Sequence, residues 1–256
     1  MKINILTLFP NMFEGFINES IIKRARDKKL VDINIENIRD YTEDKHKHVD
    51  DTPYGGGAGM VLTCQPIFDC VRSIRTDESI VILLTPDGEV YKQEKAYSLS
   101  KCKHLIMICG HYEGFDERIR DYVDVELSIG DFILTGGELA SMVISDAIIR
   151  LLDGAISEGS TMEESFENGL LEYPQYTFPR EYDGEKVPDI LFTGNHEAVR
   201  KWRLKESLKL TMKHRPDLLI NRKFTKEELK LMKEIEDGIE EPKWLIDAIN
   251  NAKKFM

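Results

Sequence analysis

A chain of 256 residues, 41% hydrophobic and 32% charged, is long enough for one large core or for two domains, and too apolar to be read as disordered. Met1 to Pro10 has no signal-peptide order of basic, apolar and cleavage-site residues, and no apolar run reaches the roughly 18 residues of a membrane span, so a cytoplasmic protein without a membrane segment is expected. The formal net charge of −11 argues against a general nucleic-acid coat but conceals a split: Val199 to Lys223 holds nine Lys or Arg against two Asp or Glu, and Asp153 to Ile190 holds ten acids against two bases.

Lys2 to Phe9 has the apolar, branched character of a buried strand, and Val31 to Ile38 alternates with period two. A helix is predicted between them, with Phe16, Ile17, Ile21 and Ile22 on its apolar side and Lys23, Arg24, Arg26, Lys28 and Lys29 towards its C-terminus, where cations suit the macrodipole. Two apolar runs follow, Ser79 to Leu84 and His104 to Cys109, each after a helical pattern, Gln65 to Arg75 and Lys92 to Ser100. Alternating strands and helices predict an α/β domain over residues 1–155, a mostly parallel sheet covered on both faces. Cys64, Cys70, Cys102 and Cys109 include no C-x-x-C pair and read as buried small hydrophobes.

The predicted strands run into glycine-containing loops: Thr85-Pro86-Asp87-Gly88, then Gly110-His111-Tyr112-Glu113-Gly114, then Ser128-Ile129-Gly130-Asp131-Phe132-Ile133-Leu134-Thr135-Gly136-Gly137. Three glycines in the last loop point either to backbone that grips a small molecule or to a tight strand-to-helix turn. Ligands of parallel α/β sheets sit outside the carboxyl ends of the strands, so three such loops together favour one pocket. A further loop, Asp50 to Met60, carries Gly55, Gly56, Gly57 and Gly59 beside Tyr54. It lacks the G-x-x-x-x-G-K-[ST] order of a P-loop and the strand-to-helix setting of a G-x-G-x-x-G site, which argues against an NTPase or a Rossmann dehydrogenase. His46, His48, Asp50 and Asp51 in the same region read as solvated loop residues, and no metal ligand is assigned.

A helix is predicted from Glu138 to Leu152, with Asp146 and Arg150 four residues apart, a spacing that suits an ordinary helix pair. Residues 156–190 form an acidic linker, either simply solvated or a mobile segment that carries a carboxylate of Glu163-Glu164-Ser165-Phe166 into a site. Residues 191–256 read as a small all-helical domain. Ala198, Trp202, Leu204 and Leu208 give its first helix an apolar side, with Arg200, Lys201, Arg203 and Lys205 on the polar surface, and Thr225 with Glu228 makes a capping box. The basic surface is either a solvated face or a contact for an anionic partner; its charge within an acidic chain favours phosphate backbone.

Taken together, Asp44-Lys45-His46 with Val49 to Met60 (VDDTPYGGGAGM), Cys109 to Ile119 (CGHYEGFDERI), Ser128 to Met142 (SIGDFILTGGELASM), Ser165-Phe166 with Gly169 to Pro174 (GLLEYP), and His196 to Leu208 (HEAVRKWRLKESL) resemble the bacterial tRNA (guanine-N1)-methyltransferase family, of the SPOUT class, over nearly the whole chain. The resemblance implies a deep trefoil knot in the N-terminal sheet domain, S-adenosylmethionine as methyl donor, the tRNA guanine immediately 3′ of the anticodon (position 37) as acceptor, and a homodimer with shared active sites. It implies that the donor is held by Leu84, Thr85, Pro86, Gly110, Tyr112, Glu113, Gly114, Ser128, Ile129, Gly130, Asp131, Phe132, Ile133, Leu134, Gly136 and Gly137. Tyr54, Gly55, Gly56, Gly57 and Gly59 would approach the target guanine, and Arg200, Lys201, Arg203 and Lys205 the anticodon-stem phosphates. Guanine N1 must lose its proton to attack a methyl group, so a general base is needed; the matching position is Glu164, with Arg150 stabilising charge on O6. Mg²⁺ is implied for the transfer step, at no site the sequence places.

The chain departs from the family pattern at Glu164, where Asp is usual, and at Lys47, Gln175, Phe178 and Asn195. The extra methylene of Glu164 leaves three readings: Glu164 is the base, Glu163 shifts into the role, or the chain is a weakly active or non-catalytic RNA-binding relative.

Overall fold

The structure, a computed structural model, describes residues 1–157, 164–166 and 168–254. The chain divides into two compact units, Met1–Glu158 and Gly159–Met256. No helix among the described residues is long and apolar enough to cross a membrane.

Unit 1 opens with β1 (Lys2–Thr7), α1 (Glu14–Asn18), α2 (Ser20–Asp27) and β2 (Asp32–Asn37). The single helix predicted between the strands is thus two, broken where Ser20 takes φ 53°, outside the helical region. Short strands β3 (Asp50–Asp51) and β4 (Val61–Leu62) pair antiparallel and bracket the loop that carries Gly55 to Gly59. Then follow α3 (Cys64–Ile74), β5 (Ser79–Val90), α4 (Gln93–Ser100), β6 (His104–Cys109), β7 (Val125–Ser128) and α5 (Glu138–Ile149). The sheet has five strands in the order β2-β1-β6-β5-β7, every neighbouring pair parallel.

Alternation within the apolar runs fills two cores. Ile3, Ile5, Ile82, Leu84, Leu105 and Met107 turn to one face with Ile144 and Ile148 of α5. Leu6, Val81, Leu83, Ile106 and Ile108 turn to the other with Ile67, Cys70 and Val71 of α3. Burial on both faces explains why these strands read as unbroken apolar runs, and each such side chain contributes about 1.5–3 kcal/mol.

One strand differs from expectation. β5 does not end at Leu84: its pairing with β7 breaks after Leu84↔Leu127 and resumes at Glu89↔Leu127, so residues 85–88 are a pouch inside a strand. The four cysteines are free; Cys70 and Cys109 are buried as expected, whereas Cys64 and Cys102 are only partly so. Loss of solvent pushes the Cys64 thiol up to about 11 and that of Cys70 to about 12, values that keep both protonated near neutral pH.

At the opposite end of the sheet, buried His104 lies between Ser79 Oγ (2.7 Å from Nδ1) and Asn4 Oδ1 (2.9 Å from Nε2), and Asn4 Nδ2 donates to Glu36 Oε1 at 2.7 Å. Burial, with Lys2 nearby, lowers the imidazole pKa. Neutral His104 satisfies both contacts, Nε2–H donating to Asn4 and Nδ1 accepting from Ser79.

Unit 2 contains the hairpin of β8 (Glu181–Tyr182) and β9 (Glu185–Lys186), then α6 (His196–His214), α7 (Lys226–Glu236) and α8 (Lys243–Lys253). Asn195 caps α6 by accepting from the Ala198 amide at 3.1 Å. The predicted capping box is present: Thr225 Oγ1 accepts from the Glu228 amide, and a Glu228 carboxylate oxygen from the Thr225 amide. Part of the stretch expected as a linker belongs to this unit's core, with Leu170 against Leu208 and Leu231, and Ile190 against Ala198, Trp202 and Ala248. The Leu171 amide also donates to Thr211 Oγ1 at 2.8 Å.

Candidate functional site

Between the interruption of β5 and the carboxyl ends of β6 and β7 lies a cleft of about 330 Å³. Its position follows from how the chain leaves β7. The segment 129–137 crosses to the end of β6, where the Gly137 amide donates to the Gly110 carbonyl at 2.9 Å and His111 bridges Gly136. A Cβ on Gly137 would stand 2.8 Å from Cys109 Cα, and one on Gly136 2.8 Å from His111 Nδ1. These two glycines therefore serve close approach of the chain to itself. Gly130, at φ 139°, is the one of the three that takes a left-handed backbone.

The cleft gathers nearly all of the residues expected to hold a cofactor: Leu84 of β5 with Thr85 and Pro86 from the pouch; Gly110, Tyr112, Glu113 and Gly114 from the loop after β6; and Ser128 of β7 with Ile129, Gly130, Phe132, Ile133, Leu134, Gly136 and Gly137 from the crossing. Asp131 is exposed and is not part of the lining. His111, Phe115, Leu127, Thr135 and Ala140 line the cleft without having been singled out. His111 and Thr135 were legible as members of the loops; Ala140 follows from its place one helical turn beyond Gly137. Tyr112 holds φ 60°, a costly backbone for a non-glycine residue and a common mark of a functional loop. His111 Nδ1 is buried with no hydrogen-bond partner among the described residues, its ring packed between Phe9 (centroids 4.8 Å) and Tyr112 (4.7 Å).

The glycine-rich loop adjoins this cleft through backbone hydrogen bonds. The Glu113 amide donates to the Met60 carbonyl (3.0 Å), Leu62 to Gly114 (3.0 Å) and Asp116 to Leu62 (2.9 Å). Gly55, Gly56, Gly57 and Gly59 all have positive φ, and Tyr54 is fully exposed. A Cβ on Gly59 would run into the Glu113 side chain. Arg150 lies at the C-terminal end of α5, away from the cleft lining.

In unit 2, Glu164 lines a separate cleft of about 630 Å³ with Tyr173, His196, Arg200, Arg203 and Arg222. Glu163 lies outside the described residues. The four expected phosphate contacts differ in what they touch. Arg200 meets Glu197 and Glu227 (2.6 and 2.8 Å), which hold its pKa above the usual guanidinium range. Lys201 Nζ stands 4.4 Å from the Trp244 ring centroid, and Arg203 Cζ 4.6 Å from that of Tyr173. Lys205 corrects the expectation of an outward face: it is 5% exposed, with Nζ donating to the Ile239 carbonyl at 2.6 Å and to Glu234 at 3.3 Å. Helical periodicity turns this lysine inward, where α7 and the turn after it supply the acceptors.

A family model described as tRNA (Guanine-1)-methyltransferase TrmD matches residues 1–221. The chain belongs to this family. Among similar proteins, tRNA (guanine-N(1)-)-methyltransferase of Dictyoglomus turgidum is 53% identical over 242 residues, covering 94% of this chain and 99% of its own. The proteins of the same name from Bacillus cereus strain AH820 and Bacillus anthracis strain A0248 are each 53% identical over 243 residues, covering 93% of this chain and 100% of theirs. Among the described residues no group of three or more His, Cys, Asp or Glu could hold a metal ion.

Proposed function

We propose that this member of the tRNA (guanine-1)-methyltransferase family transfers a methyl group from S-adenosylmethionine to N1 of the tRNA guanine immediately 3′ of the anticodon (position 37). The observation that carries the proposal is the convergence of the pouch, the loop after β6 and the glycine crossing on one cleft. That cleft suits the donor: apolar Leu84, Pro86, Ile133 and Leu134 for an adenine face, loop backbone for its edge, and the unpartnered His111 Nδ1 for a polar atom. When bound, S-adenosylmethionine supplies a methyl group activated by its sulfonium.

The chain's own residues do the rest. Glu164 takes the N1 proton as the N–C bond forms and the C–S bond breaks, and Arg150 stabilises the charge that builds on guanine O6. Tyr54 and the glycine loop meet the guanine, and Arg200, Lys201 and Arg203 face the RNA phosphates. The reading includes a homodimer with shared active sites, for which exposed Leu139 and Val143 on α5 offer an apolar contact. The crossing of residues 129–137 is read as the threading step of a trefoil knot.

Labelled S-adenosylmethionine and tRNA with guanine after the anticodon should yield 1-methylguanine. Glu164→Gln should abolish turnover while leaving donor binding intact, and Glu164→Asp should retain turnover. An unchanged rate for Glu164→Gln removes Glu164 from the mechanism, and no transfer into any such tRNA removes the proposal.

A further inference from the structure

Thr85 and Pro86, the start of the β5 pouch, continue from Leu84 the wall of the cleft, and Arg120 braces it from behind. Arg120 lies in the 3-10 turn Glu117–Tyr122. Its Nη2 donates to Asp87 Oδ2 at 2.7 Å, its Nε to Glu117 Oε2 at 3.1 Å, and its Nη1 to Glu126 of β7. Asp87 in turn accepts a hydrogen bond from the Thr85 hydroxyl, and Thr85 is 8% exposed in the cleft wall. A chain of bonds thus runs from the edge strand through one guanidinium to the residue that faces the cofactor position.

Arg120 itself does not line that cleft. It borders a second cavity, about 310 Å³, on the far side of the same wall with Asp87, Phe115 and Ile119. A single exposed ion pair contributes little. A planar fork shared by carboxylates from three chain segments fixes geometry instead, and its removal leaves Asp87 and Glu126 without the cation they share.

We propose that Arg120 is a positioning residue for the methyl donor: through Asp87 it holds residues 85–88 at the depth where Leu84, Thr85 and Pro86 meet the cofactor. This rests on reading the cleft as the S-adenosylmethionine site. The test is calorimetric titration of the full chain with S-adenosylmethionine, comparing the parent with Asp87→Asn, Arg120→Lys, Arg120→Met and the double variant Asp87→Asn with Arg120→Met. Asp87→Asn keeps the bonds of Arg120 to Glu117 and Glu126, so the melting temperature of the free protein should hold while Kd for the donor rises about five- to tenfold. Arg120→Met should weaken binding at least as much, Arg120→Lys should recover part of the loss, and the double variant should bind no worse than Arg120→Met alone. In turnover, KM for the donor should rise and kcat at saturation should stay. Parental affinity in Asp87→Asn, or additive losses in the double variant, overturns the role of Arg120. A parent chain that does not bind the donor overturns the cofactor reading, and this inference with it.

Discussion

Thr7 Oγ1 donates to Glu138 Oε1 at 2.7 Å, joining the last residue of β1 to the first residue of α5 across 131 positions of sequence. Both are buried, at 0% and 2% exposure, and the same hydroxyl accepts from the Phe9 amide at 2.9 Å. Thr7→Val keeps the shape and removes both partnerships, leaving a carboxyl oxygen and an amide unmatched. Stability should fall by about 1–3 kcal/mol, read as a lower denaturant midpoint with unchanged slope.

The glycine crossing makes a second, paired prediction. Gly137→Ala puts a methyl 2.8 Å from Cys109 Cα, backbone that cannot yield cheaply. It should cost about 1–3 kcal/mol and weaken donor binding. Gly15, in α1, has nothing within 4 Å of an added Cβ; Gly15→Ala should instead stabilise, by about 0.5–1 kcal/mol, as a helical glycine gives way to a better helix former. Both are measured by chemical denaturation, donor binding by calorimetry.

Acid sensitivity should be traceable to His104. Its folded pKa is held below the unfolded value of about 6.5, so the folded chain binds fewer protons at this site. The stabilising contribution is complete above the unfolded pKa and is lost as pH falls from there through the folded pKa. Denaturation at pH 7.5 and 5.5 should show a drop for the parent that is smaller in His104→Gln.

Lys205 and Lys201 should separate folding from RNA contact. Lys205→Met leaves Glu234, itself only 12% exposed, without its buried cation. It should destabilise by about 3 kcal/mol and leave the salt dependence of tRNA binding unaltered. Lys201→Ala should barely change stability and should lower the salt slope by about one. Thermal melts and tRNA binding at several salt concentrations test both.

What the sequence made legible follows from periodicity. Ile106 and Ile108 against Leu105 and Met107 make a doubly buried strand, and such a strand announces itself as an apolar run. Thr225 and Glu228 announced the start of α7 because a capping box is local chemistry. The pouch of β5 was not legible, since Thr85-Pro86-Asp87-Gly88 carries the composition of a terminating turn and only the partner strand shows that pairing resumes. Lys205 was misplaced because its charge was weighed over its spacing, three residues from both Trp202 and Leu208; the acceptors that allow it inward, on α7 and at Ile239, lie 29 and 34 residues away. The cleft was readable as three glycine loops, but the reason for Gly136 and Gly137, contact of the chain with its own strand end, needed the path in space.

That resumed pairing has a bearing on how the cleft could be re-engineered. Glu89 and Val90 return to Leu127 and Ser128, and the Tyr91 amide then donates to Ser128 at 2.8 Å. The alignment of β5 on its neighbour is thus re-established downstream of residues 85–88 by contacts those residues do not make. Thr85 and Pro86 are the positions between these clamped ends where altered sequence would retune the choice of methyl donor or analogue, whereas Gly88, where an added Cβ would stand 2.6 Å from the Leu127 amide nitrogen, and Asp87, bound to Arg120, hold the frame.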